Sequence, residues 1–334
     1  MPSVRLPYEP IRDILYSPKE LFEGFDPEVK RSFAETRDFA IYRYFVLAGG
    51  LNPFDAYPAM MQSLHDNSIT QALRQLLAER KCVGIMGGHD LKRNDSAYSN
   101  VAHLARRLAG SSFLVASGGG PGAMEAAHFG ARFHALSDHD FSKALRRLSV
   151  EPDLPKLKAI VRPDGSVDYS LVEAAHRWFR PAFELTTDTP AGAQSLAVPT
   201  WLYGHEPSTP FASDIAKYFQ NSIREAGLLA IATYGVVFAE GSAGTLQEIF
   251  QDAAQNHYRS LGFFSPMVFL GVDYWSNRLP ARALLKAELH PDDFDRFLLF
   301  TDSFEEAEHF LNRFELPRTL ADGYAALVAS ARRL

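Results

Sequence analysis

The chain has 334 residues, a net charge of −6, 46% hydrophobic residues and 22% charged residues. That balance allows one large or two smaller domains with a full core, and the mild acidic excess argues against a long nucleic acid as partner. The single cysteine, Cys82, excludes an internal disulfide and a cysteine zinc cage.

The opening MPSVRLPYEPIRD lacks the apolar core of a secretory signal. No apolar run approaches the roughly 20 residues that span a bilayer. A cytoplasmic protein with no membrane partner is the expectation. Residues 1–80 read as a helical extension. Phe33 leads into the aromatic-rich FAIYRYFVL (39–47), and ITQALRQLLAER carries apolar residues at helical spacing. The turn-rich GGLNPFDAYP separates the two.

From residue 82 the rhythm changes. CVGIMGG is a short apolar run ending in glycines. Asp95 can cap the next helix, whose Val101, Leu104, Ala105 and Leu108 share one face. FLVASGGG and PGAMEAAHFGAR repeat the device of strand, glycines and helix. Residues 136–190 read as a polar insertion, with VRPDGSVDY as a turn and SLVEAAHRWF as a short helix. SLAVPTWLYG resumes the strand pattern. Thr209 and Pro210 then predict a helix start, with a helix through DIAKYFQNSIREA stopping at Gly227. GVVFAEGSAG leads into TLQEIFQDAAQNHY, and PMVFLGVDYW and FLLFTDS add strands. Ser303 and Glu306 form a capping box for the last well-marked helix. The fold class is therefore α/β, a doubly wound parallel sheet over residues 81–317, with the N-terminal extension, the insertion and a C-terminal helix over 318–334.

Three turns fall where strands end, the place where open α/β sheets bind ligands. Gly118, Gly119, Gly120 and Gly122 join a strand to a helix. So do Gly241, Ser242, Ala243, Gly244 and Thr245, and Gly87–Gly88 follow the first strand. Glycines let backbone approach a ligand, and the first amides of a helix lack internal partners, which suits phosphate. Each loop alone could equally be a tight turn. Glu248, three residues after Thr245, falls off the apolar face formed by Leu246, Ile249, Phe250 and Ala253 and can face the cleft; at a helix start it also favours the dipole. Asp252, one turn further along the same side, is either an accessory group or solvated, and reads rather as solvated. Asp214, Lys217, Asn221 and Arg224 make a polar stripe, either a solvent face or a path that brings Arg224 to a ribose or phosphate. His128, His134 and His139 lie near Asp138 and Asp140 but are scattered, and read as surface histidines rather than a metal site.

SGGGPGAMEAA followed much later by EGSAGTLQE resembles the LOG (lonely guy) family of phosphoribohydrolases and the related bacterial nucleotide 5′-monophosphate nucleosidases, over roughly residues 80–275 without the insertion. The family's second motif reads P-G-G-x-G-T-x-x-E. Gly241, Gly244, Thr245 and Glu248 match it, while Glu240 replaces the proline and Ser242 a glycine. Gly118 to Gly120 and Gly122 match the first motif. The resemblance implies a Rossmann-like fold, a nucleoside 5′-monophosphate as small-molecule partner, and hydrolysis of its N-glycosidic bond to free base and ribose 5-phosphate. It implies no cofactor and no metal, and a homodimer or larger homo-oligomer. Glu248 would act at the ribose by stabilising positive charge, positioning water or forming a ribosyl adduct. Arg224 is the nearest counterpart of the family's catalytic arginine, with its spacing shifted by about one residue. Amides from Gly241 to Thr245 would bind the 5′-phosphate, and the first loop, with Glu125, would border sugar or base. The label "lysine decarboxylase" attached to such sequences does not fit, because neither loop offers a Schiff-base lysine. The alternative is a non-catalytic nucleotide sensor with the N-terminal helices as output. An ordinary dinucleotide oxidoreductase ranks low, since Gly84 to Gly88 does not supply a G-x-G-x-x-G turn.

Overall fold

The computed structural model describes residues 6–78, 80–189, 192–201 and 207–317. A short helix α1 (Pro18–Leu21) and a 3₁₀ turn (Ser32–Glu35) lead into α2 (Arg37–Leu47), where the Thr36 hydroxyl accepts from the Phe39 amide. The glycine break follows, and α3 (Ala56–Leu77) starts at Asp55, whose carboxylate accepts from the Tyr57 amide. These are ordinary N-caps, each satisfying an amide that the helix itself cannot.

The sheet then begins with β1 (Cys82–Met86), α4 (Ser96–Gly110), β2 (Leu114–Ser117) and α5 (Ala123–Arg132). Two helices, α6 (Asp138–Leu148) and α7 (Tyr169–Asp188), occupy the 136–190 segment. The SLVEAAHRWF helix continues through Pro181 to twice its expected length, because Ala182 and Leu185 extend its buried face. Next come β3 (Ser195–Ala197), β4 (Asp214–Ile215), α8 (Asn221–Ile231), β5 (Val236–Phe238) and α9 (Ala243–His257). The chain closes with β6 (Met267–Leu270), a wide π turn (Tyr274–Arg278), α10 (Ala281–Glu288), α11 (Pro291–Phe297), β7 (Leu298–Thr301) and α12 (Phe304–Asn312). Ser303 caps α12 through the Glu306 amide. The C-terminal helix expected over 318–334 lies outside the described residues.

The seven strands run in the order β4-β3-β2-β1-β5-β6-β7, and every pairing is parallel. This is the doubly wound α/β arrangement. The chain builds outward from β1 to β4, then returns to lay β5 on the other side of β1, which makes the β1/β5 boundary the switch point. Alternation along the strands divides the core in two. Cys82, Met86, Leu114, Ala116, Val236 and Phe238 face one apolar cluster, while Val83, Ile85, Val115 and Val237 face the other. The N-terminal helices contribute Phe39, Ile41, Tyr42, Phe45, Ile69 and Leu73 to the first of these. Their side of the seam is aromatic: His65 lies against both Trp201 and Phe219, whose own rings stack at 4.6 Å. The described N-terminal helices are therefore packed against the sheet's own core.

One predicted helix is corrected. Residues 209–220 do not form it. Ile215, Ala216, Lys217, Tyr218 and Phe219 are all buried, so the run has no solvent face to define a helical stripe. Asp214–Ile215 pairs beside β3 as the edge strand, and Thr209 donates its amide to the Gly119 carbonyl instead of capping a helix. The helix begins at Asn221 and continues past Gly227. The polar stripe dissolves accordingly. Lys217 is buried and paired with Asp38 at 2.6 Å, Asp214 sits on the edge strand, and only Asn221 and Arg224 share α8.

Candidate functional site

Three glycine turns meet at the carboxyl ends of β1, β2 and β5. The Gly88 amide donates to the Glu240 carbonyl at 2.8 Å, and the Ala123 amide donates to the Gly88 carbonyl at 3.1 Å. The turn after β1 is thus tied to both neighbours. The approach is tight enough to require glycine. A Cβ on Gly87 would lie 2.7 Å from the Ala123 methyl, and one on Gly88 would lie 3.3 Å from Gly241 Cα. At Gly122, φ is +69° and a Cβ would collide with the Gly88 carbonyl.

The first loop, Gly118 to Gly122, is buried throughout. Some of its polar groups are already engaged: the Gly119 amide donates to Ser117 Oγ, and the Gly119 carbonyl accepts from Thr209. Beneath it, His128 bridges Ser117 Oγ (2.9 Å) and Ser195 Oγ (3.0 Å). Full burial pushes the His128 imidazole down to about 3, so it stays neutral. The expectation that it is a surface histidine is corrected: it lies on the inner face of α5, between two strands. His134 accepts from the Ala193 amide, and His139 is exposed. Among the described residues there is no cluster of three potential metal ligands.

The second loop is open. Ser242, Ala243 and Gly244 are exposed, and Ser242 serves as the N-cap position of α9. The first amides of that helix have no carbonyl one turn earlier to bind, and the helix dipole adds a positive field there. Thr245 is buried, its hydroxyl packed where a Cβ on Gly241 would have to sit. Glu240 turns its carboxylate to Arg278 at 3.8 Å, which offsets its charge.

Between the loops stand Arg224 and Glu248. Arg224 Nε donates to the Val198 carbonyl at 3.0 Å, which pins the guanidinium beyond β3. The same guanidinium fills the space that a side chain on Gly118 would need. Its Nη1 lies 3.7 Å from Glu248 Oε1. One arginine thus touches the first loop and the carboxylate of the second loop's helix. The Glu248 side chain is 17% exposed. Burial pushes its carboxyl up to about 7; Arg224 opposes that shift and Glu225 reinforces it. Glu225 is held by Asn221 at 2.6 Å and by Gln247 at 3.2 Å.

Two further expectations change. Glu125 is fully buried in a bidentate pair with Arg93 (2.7 and 2.8 Å) and accepts from Tyr98 at 2.9 Å. Both of its oxygens are used, so a contact with sugar or base gives way to a structural role, with Arg93 also lying 3.7 Å over the Trp178 ring. Asp252 is not solvated. It is buried, its Oδ2 has no partner, and burial pushes its carboxyl up to about 8.

No protein-family profile matches the chain. No curated protein matches it either. Solved structures with a similar trace include the molybdenum cofactor binding protein from the phototrophic bacterium Rippkaea orientalis, at 12% identity and a TM-score of 0.41, covering 70% of this chain and 96% of that one. The Moco carrier protein from Chlamydomonas reinhardtii follows at 12% and 0.39, covering 71% and 100%. The structural-genomics target TM1055 is 19% identical, with a TM-score of 0.40, covering 70% and 99%. No helix among the described residues is long and apolar enough to cross a membrane.

Proposed function

We propose that the protein hydrolyses the N-glycosidic bond of a nucleoside 5′-monophosphate, releasing free base and ribose 5-phosphate. The observation that carries this reading is the placement of Arg224, against Gly118 on one side and 3.7 Å from Glu248 on the other. The open amides at the start of α9 suit the 5′-phosphate. Arg224 holds the sugar or phosphate in place, so that the anomeric carbon stands by Glu248.

Cleavage of such a bond develops positive charge on the ribose, as glycoside cleavage generally does. A carboxylate in a partly desolvated cleft stabilises that charge more strongly than one in water. Glu248, with its carboxyl near 7, is poised at neutral pH between a form that stabilises cation and a form that carries a proton. No step calls for a metal or a cofactor. The test is product analysis: wild-type protein incubated with AMP, GMP, CMP or a cytokinin monophosphate releases free base and ribose 5-phosphate from at least one. Tight nucleotide binding without base release across the panel would instead favour a sensor.

A further inference from the structure

We infer that the N-terminal helices are part of the site's machinery, and that Asp66 of α3 is a positioning residue that sets Arg224 by holding the start of α8. This rests on the roles proposed above for Arg224 and Glu248. Asp66 is 1% exposed. Its carboxylate accepts from the Phe219 amide at 2.9 Å and from the Gln220 amide at 2.9 Å. Gln220 is the N-cap position of α8 and offers no side-chain cap of its own. A carboxylate from another element, 154 residues distant in sequence, therefore satisfies amides at the mouth of this helix. Arg224 lies one turn further in.

Asp66 is itself fixed. His65 Nδ1 lies 3.1 Å from its Oδ1, and His65 Nε2 lies 2.9 Å from the Tyr16 hydroxyl. Burial pushes the imidazole down, so it bridges the two as a neutral ring. A second strut runs in parallel. Asp38 of α2 pairs with Lys217 Nζ at 2.6 Å, and Lys217 donates to Ser208 Oγ at 3.1 Å. The next residue, Thr209, donates to the Gly119 carbonyl of the first loop. Each long N-terminal helix thus sends one buried carboxylate to the segment that carries Arg224 or braces the first loop.

The geometry makes a specific demand. If α8 loses its anchor, Arg224 moves away from Glu248, and the positive charge that holds the Glu248 carboxyl down is lost. The charged groups acting on Glu248 are Arg224 and Glu225, both on α8; Asp252 lies one turn further along its own helix. The experiment compares wild type with Asp66→Asn and with Gln220→Pro. The second variant removes one of the amides donated to Asp66 while keeping the carboxylate itself, at a position where the Gln220 φ of −96° is negative and outside the helix.

Two readouts are taken. One is base release against pH. The other is the Glu248 titration by carbon NMR, assigned by its loss in Glu248→Gln. Both variants are expected to lower kcat about 10- to 100-fold with a smaller change in KM, and to move the Glu248 titration to higher pH. An unchanged kcat and titration in a folded variant would overturn the inference. If Asp66→Asn does not fold, Gln220→Pro decides alone. A wild type that releases no base, with a titration that still moves in the variants, would sink the proposed activity and leave the positioning role standing.

Discussion

The two glycine loops are alike in sequence and opposite in state. Gly118 to Gly122 is buried, braced by Thr209 above and the Ser117–His128–Ser195 bridge below. Ser242 to Gly244 is exposed, and the amides of its helix start are available. Glycine in the first loop serves close packing; glycine at 244 has nothing within 4 Å of its missing side chain. A glycine-rich turn at a strand end is therefore not one device. Here one turn packs as a floor and the other leaves a helix start exposed, and Arg224 stands between Gly118 of the first and Glu248 of the second loop's helix.

Four substitutions sharpen that contrast. The largest effect is expected from Glu125→Ala, beneath the closed loop. It leaves Arg93 buried without its partner and should cost about 3–5 kcal/mol, read by denaturant unfolding. A loss confined to nucleotide binding, with stability intact, would return Glu125 to the cleft. Gly122→Ala follows, at about 2–3 kcal/mol, from positive φ and collision with the Gly88 carbonyl.

Asp252→Asn tests the buried face of α9. The Asp252 carboxyl is pushed up to about 8, above its ordinary range near 4, so the folded state binds a proton that the unfolded state has already lost between these values. Its stabilising share is complete below about pH 4 and falls as pH rises toward 8. The variant should therefore gain on wild type as pH rises. A larger gain in Tm at pH 8.5 than at pH 4.5 is expected, and a constant difference would remove Asp252 from the core. The smallest stability effect belongs to Gly244→Ala in the open loop, within about 0.5 kcal/mol of wild type. Its mark should be a weaker affinity for nucleotide, roughly tenfold, measured by calorimetry.

Much of this was legible along the chain. Each unit of apolar run, glycines and helix became a strand, a turn and a crossover helix, because period and punctuation are local signals. Glu248 was marked by its place after the second glycine loop, whereas Arg224 was named through the family resemblance and a polar stripe that the fold breaks up. The failures have two causes. The run from Ile215 to Phe219 is buried on all sides, so it carries no period to distinguish an edge strand from a helix. The groups that hold the site are paired across the fold: Glu125 with Arg93, Lys217 with Asp38, and Asp66 with the start of α8. A lone charged residue in a sequence reads as solvated, and only the fold reveals its partner. Asp252 was missed for a related reason: its burial comes from the turn-by-turn packing of α9, not from its neighbours in sequence.

The most direct measurement is single-turnover base release by Glu248→Gln, with nucleotide affinity determined in parallel. Loss of release by at least about a thousandfold, with Kd within about threefold of wild type, is the predicted result. Normal turnover by that variant would show that chemistry does not pass through this carboxylate.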